Sequence, residues 1–132
     1  MCPISYSDVL EELKSLAYLE SSSSAINVFR STLETLAERI DHRAAEDLAN
    51  YLPEELRHHL LDTIRPPETF SLQTFFNRIS LREDGSLLSA VFHARCALNV
   101  LAALVPEENL SHVRRLLPSE LQALFEPNAV WI

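Results

Sequence analysis

A single glycine, Gly85, serves the whole chain, and that scarcity excludes two kinds of protein. A phosphate-cradling loop needs several glycines to bring backbone N–H groups against its ligand, so none can form here. An all-β fold is equally disfavoured, because its tight hairpins depend on residues that tolerate positive φ. Cysteine is nearly as rare. Cys2 and Cys96 cannot make a disulfide framework, which points to a reducing, cytoplasmic setting. Basic residues are also short, 11 against 19 acids for a net charge of −8, and only Arg114 and Arg115 stand side by side. Duplex nucleic acid and anionic membranes are both bound through clustered cations, so neither is expected as a partner. Residues Met1 to Ser5 run straight into Asp8, Glu11 and Glu12 without the basic-then-apolar layout of a signal peptide, so export is not expected.

What is present is helical. In 132 residues, 47% of them hydrophobic, leucine, alanine and glutamate dominate, and the length suits one domain with a substantial core. The expected fold class is all-α. Leu87 to Val105 is long enough to span a bilayer, but His93, Arg95 and Asn99 occupy its middle, where a charge is costly. It reads as a core helix.

A shift of sixty-five residues lays the chain over itself. Ala25, Arg30, Leu33, Leu36, Ala37, Leu52, Pro53, Glu55 and Leu56 then meet Ala90, Arg95, Leu98, Leu101, Ala102, Leu117, Pro118, Glu120 and Leu121. Such self-similarity marks a supersecondary unit that completes its core against its copy. Two pseudo-symmetric four-helix repeats, at about 4–65 and 70–126, are expected to pack as one helical-bundle domain, residues 1–132. The proline-rich linker spans 65–69, and an apolar tail covers 127–132. Ser7 and Ser71 stand before the first helix of each half, and the serine run 21–24 before the second. Ile26, Phe29, Leu33, Leu36 and Ile40 make the stripe of that long helix, matched by Val91, Ala94, Leu98, Leu101 and Val105. A third helix follows Asp41 and again Pro106, and a fourth begins at Pro53 and again at Pro118.

Three phrases carry a resemblance: Thr35-Leu36-Ala37-Glu38-Arg39, Asp47-Leu48-Ala49-Asn50-Tyr51-Leu52-Pro53-Glu54-Glu55-Leu56, and Phe70-Ser71-Leu72-Gln73-Thr74-Phe75-Phe76-Asn77-Arg78-Ile79. With the repeated Leu-Pro-x-Glu-Leu, they make the chain resemble the bacterial domain-of-unknown-function family 2267 over residues about 4 to 126. The resemblance implies a small helical bacterial protein without an established reaction or ligand. It supplies no catalytic residues and no cofactor. The serine-rich turn at 21–24 and the apolar tail depart from the family pattern.

Candidate sites are few. Arg30 and Arg95 hold equivalent slots in apolar stripes, and Glu55 and Glu120 equivalent slots after the two prolines. The expected structural pairs are Arg30 with Glu55 and Arg95 with Glu120, or else helix-end carbonyls as the arginines' partners, because a buried charge needs a partner. The long helices differ on one face: Asn27, Ser31, Glu34, Thr35, Glu38 and Arg39 become Phe92, Cys96, Asn99, Val100, Ala103 and Leu104. An apolar second face is either internal or an interface. Phe92, Cys96, Val100, Ala103, Leu104 and the tail residue Trp131 are therefore the expected interaction surface for a protein partner or a second copy in a homodimer. No carboxylate stands in an apolar run that would raise its pKa for acid catalysis. The reading is a non-enzymatic protein-interaction module; the alternative is a ligand, metal or enzyme site between the two repeats.

Glu54, His58 and Asp62 share a helix face at steps of four, which offers N and O donors but an incomplete metal shell. Zinc is therefore expected to leave the melting temperature unchanged. A zinc-dependent rise that disappears in His58→Ala would reveal a metal site.

Overall fold

Five of the described helices begin where a side chain satisfies an otherwise unpaired backbone N–H. In the computed structural model, which describes residues 5–62, 66–115 and 122, the elements are α1 (Tyr6–Ala17), α2 (Ser22–Arg39), α3 (His42–Ala49), α4 (Glu54–Leu61), α5 (Leu72–Glu83), α6 (Leu87–Leu104) and α7 (Glu107–Arg115). Ser21, Asp41, Ser71 and Ser86 each accept a hydrogen bond from the N–H three residues on. The cap of α1 is Ser5 rather than Ser7. Asp8 accounts for the difference, because its carboxylate reaches back to the Ser5 N–H and closes a capping box. Pro53 stands just outside α4, as its N-cap.

Among the described residues the protein is all-helical, with seven helices and no strand. Residues 118–126, the expected eighth helix, and the tail 127–132 lie largely or wholly outside them, as does Arg65 of the linker. α2 and α6 are both 18 residues long and start sixty-five residues apart. α1 and α5 are both 12 long but start sixty-six apart. Both of these shorter helices stop at a left-handed residue, Tyr18 (φ 56) and Asp84 (φ 59). Aspartate tolerates that region; a bulky tyrosine does not, and its backbone is strained there.

α2 and α6 touch at the centre. α1 lies across both, α5 does likewise, α4 covers α2, and α3 bridges α4 and α7. Each short helix therefore packs on the long helix of its own half and also on that of the other. One cluster of apolar side chains runs through all of these contacts. Val9, Leu10, Leu13 and Ala17 from α1 and Phe75, Phe76 and Ile79 from α5 point into it. α6 is long and apolar enough to cross a membrane by length and composition. Here it buries part of that surface against α1, α2 and α5 and leaves Leu87, Leu88 and Phe92 exposed.

Leu33 and Leu98 occupy equivalent places on the two long helices, and both are buried. Truncation of either to alanine is expected to cost about 2–5 kcal/mol through lost burial and the cavity left behind. Urea unfolding followed by circular dichroism measures it.

Candidate functional site

Two grooves run along the long helices, one where α5 crosses α2 and one where α1 crosses α6. The first is filled with charge. Arg78 and Arg82 stand one turn apart on α5, and Glu34 and Glu38 one turn apart on α2, so that opposite charges face each other in register. Arg82 grips both Glu38 oxygens, at 3.0 and 2.7 Å, and donates to the buried Thr35 hydroxyl. Arg78 reaches Glu38 at 3.1 Å and holds both oxygens of Glu68 at 3.1 and 3.0 Å. Glu68 in turn donates its backbone N–H to the Glu38 carbonyl at 2.8 Å, which ties the linker to α2. The Arg78 guanidinium also lies 4.2 Å from the centroid of Phe70. The Glu38 side chain is 10% exposed. Burial alone would raise its carboxyl, but the hydrogen bonds and charges of Arg82 and Arg78 outweigh this and hold it below the ordinary range.

Arg30 extends this network. It donates to the Arg82 carbonyl at 3.0 Å, to the Asn27 side chain and to Glu34 at 3.4 Å. Of the two partners expected for Arg30, the helix-end carbonyl is the one found, and Glu55 is not. Glu55 is exposed at the start of α4, whereas Arg30 reaches the last turn of α5, where helix carbonyls lack intrahelical partners. The Arg95–Glu120 pair cannot be placed, since Glu120 lies outside the described residues, as does Trp131.

The second groove has none of this. Asp8, Val9, Glu12 and Leu16 of α1 face Asn99, Val100, Ala103 and Leu104 of α6 around a cavity of about 490 Å³. The size is that of a ligand or side-chain pocket. Of the expected interaction residues, Cys96 and Val100 are buried beneath α1, Ala103 is exposed, and Leu104 is half-buried. The Cys96 thiol points at the Leu16 carbonyl, 3.7 Å away, and burial raises its pKa despite nearby Arg95. It is a packed small side chain, not an activated nucleophile. Phe92 remains 42% exposed, with its ring stacked on the 86%-exposed Tyr18 at a centroid distance of 6.4 Å. Leu88, one turn before Phe92, is 83% exposed.

Two titratable groups are shifted chiefly by burial. Glu83 ends α5 with its side chain 5% exposed and one oxygen without a partner; burial raises its carboxyl, offset in part by His93 at 2.8 Å. Nothing in the sequence marks Glu83, which stands in the polar stretch before Gly85 and is covered where it meets His93 of α6. His59 is the other. Packed against α2 from α4, it is pushed down to about 4 by burial first, then by His58 and Arg30. Glu34, 3.9 Å away, is too distant to reverse this. Its neighbour His58 is exposed, as are Glu54 and Asp62, and among the described residues no group of three or more His, Cys, Asp or Glu side chains could hold a metal ion.

The unfolded chain takes up a proton at His59 near pH 6.5, while the folded protein resists until about pH 4. Stability is therefore expected to fall as pH drops through that window, by about 1–2 kcal/mol once solvent screening is allowed for. His59→Gln should flatten the curve between those pH values. Glu38 acts lower, losing its contribution only as pH falls below the ordinary carboxyl value of 4.5. Urea midpoints measured against pH for both proteins provide the check.

The family model described as "Uncharacterized conserved protein (DUF2267)" matches residues 6–124. Comparison with curated proteins finds no match to the chain.

Proposed function

We propose, from the premise that this chain belongs to the DUF2267 family, that it is a non-enzymatic helical interaction module that pairs with a second copy of itself. The exposed stack of Tyr18 on Phe92 carries this reading. A surface of Leu88, Phe92 and Tyr18 loses free energy in water, and an aromatic pair of this kind is a natural anchor for an apolar contact. Tyr18 adds a second reason. It occupies a left-handed cap where glycine would be free of strain, so the side chain has a use that offsets a backbone cost. A two-fold axis near Phe92 would set the same patch of both copies face to face.

In the same reading, the two halves are pseudo-symmetric four-helix repeats. The recurrent lengths of α1 with α5 and of α2 with α6 support this. So does the crossed contact of each short helix with the long helix of the other half. We place the protein in the reducing cytoplasm of a bacterium, acting on a protein rather than on nucleic acid or membrane. The buried free thiol of Cys96 and the acidic net charge support that placement.

Phe92→Glu is expected to give a folded monomer, because the substituted side chain is already half in solvent. Loss of a central aromatic anchor weakens association by about 2 kcal/mol or more, roughly thirtyfold in Kd. Tyr18→Gly should also weaken association while raising stability by about 1 kcal/mol, as the cap strain is removed. Sedimentation and circular dichroism on the full chain measure both. A wild-type protein that stays monomeric at millimolar concentration would defeat the proposal.

A further inference from the structure

The filled groove and the open groove are built from corresponding positions. On the long helices, the sixty-five-residue offset takes Glu34, Thr35, Glu38 and Arg39 to Asn99, Val100, Ala103 and Leu104. On the short helices, the sixty-six-residue offset takes Asp8, Val9, Glu12 and Leu16 to Thr74, Phe75, Arg78 and Arg82. All eight residues that line the α1–α6 cavity thus have a counterpart in the α2–α5 groove. Where Arg82 and Glu38 interlock, the open groove has Leu16 and Ala103; where Arg78 meets Glu38, it has Glu12 and Ala103. Both long cations are gone, and a cavity of about 490 Å³ opens there, against a smaller, more open hollow of about 300 Å³ beside Glu38, Arg78, Leu81 and Arg82 in the other groove.

The charge left behind is one-sided. Asp8 and Glu12 are the only ionised residues that line the cavity, and among the described residues Glu12 has no hydrogen-bond or ion-pair partner. α6 ends at Leu104 on the cavity wall, so the negative end of its dipole lies there as well. Apart from Asn99, the rest of the lining is apolar: Val9, Leu16, Val100, Ala103 and Leu104. A long aliphatic stem with a cationic head fits both properties at once.

We propose that the α1–α6 groove binds a basic amphipathic helix of another protein, whose arginine or lysine side chain enters the space that Arg78 and Arg82 fill in the α2–α5 groove. The stem lies along Leu16 and Val100, and the head meets Glu12. Apolar side chains one turn away on the same helix fill the rest of the cavity. The chain's own residues 116–132 cannot supply this group, because they contain no lysine or arginine. A second copy brings the same net charge of −8 against the acidic rim. This surface and its occupant differ from the apolar self-contact at Phe92.

The test uses a fluorescent synthetic helix of leucine and arginine, with its leucine and glutamate counterpart, titrated into the full chain and read by anisotropy. The arginine helix is expected to bind and the glutamate helix not. The decisive variant is Leu16→Arg with Ala103→Glu, which rebuilds the Arg82–Glu38 pair inside the open groove without changing the net charge. Both positions are solvent-accessible, so helicity should persist. Binding should weaken about tenfold or more because the groove is closed from within, whereas general attraction to an acidic protein is unaltered. Glu12→Gln should weaken binding less, and mainly at low salt. Failure of the arginine helix to bind, equal binding of both helices, or undiminished binding to the double variant would each overturn the proposal. A drop in the mass of the unliganded chain caused by the double variant would assign the groove to a second copy, and would overturn it too.

Discussion

Glu38 is the carboxylate on which the arrangement of α5 depends. It is nearly out of solvent, and it is accepted there only because two guanidiniums reach it from successive turns of α5 and a third residue, Glu68, binds its backbone carbonyl. A carboxylate in that position without such partners would be strongly disfavoured. The pairs are directional and bidentate, so they fix how far α5 slides along α2 as well as whether it docks. Apolar contacts beneath them supply most of the attraction, but they are far less particular about register.

The contrast with α1 follows from that. α1 meets α6 through Val9, Leu10, Leu13 and Ala17 and through a weak contact between Cys96 and the Leu16 carbonyl, with no ion pair across the two helices among the described residues. The same two-helix crossing therefore exists in a closed and an open form. A closed form resists insertion, since a guest would have to break charge-assisted bonds already made. The open form has no such bonds to break, and the recognition proposed for it rests on that difference.

Much of the architecture could be read from the residues. The caps, the prolines and the three-and-four spacing located the helices, because these signals act over a few residues and need no knowledge of how helices meet. The offset of the short helices was harder to see. It is one residue longer than that of the long ones, so a single shift aligns the long helices and misplaces Arg78 against Leu13 instead of Glu12. The lost register hid the zipper, although i,i+4 pairs of Arg78 with Arg82 and of Glu34 with Glu38 were visible on their own helices. The surface of α6 was legible only as a face with excess apolar character. Its division into covered Cys96 and Val100 and uncovered Phe92 is decided by where α1 crosses, and no local pattern encodes that crossing. The burial of Glu83 and His59 was illegible for the same reason, since polarity suggests exposure and only the neighbouring helix can remove it.

The crossed attachment of α1 to α6 and of α5 to α2 sets an order for how the chain can mature during synthesis. When the first four helices have emerged, α2 lacks α5 and α6, and α1 has not met its long-helix partner of the later half. That partner is complete only about forty residues later, several seconds of translation at ordinary rates. Until then, leucines destined for the centre remain in contact with water, and closing so long a loop slows their burial. A nascent chain of this design therefore passes through an interval in which holdase chaperones compete with its own second half for the same side chains.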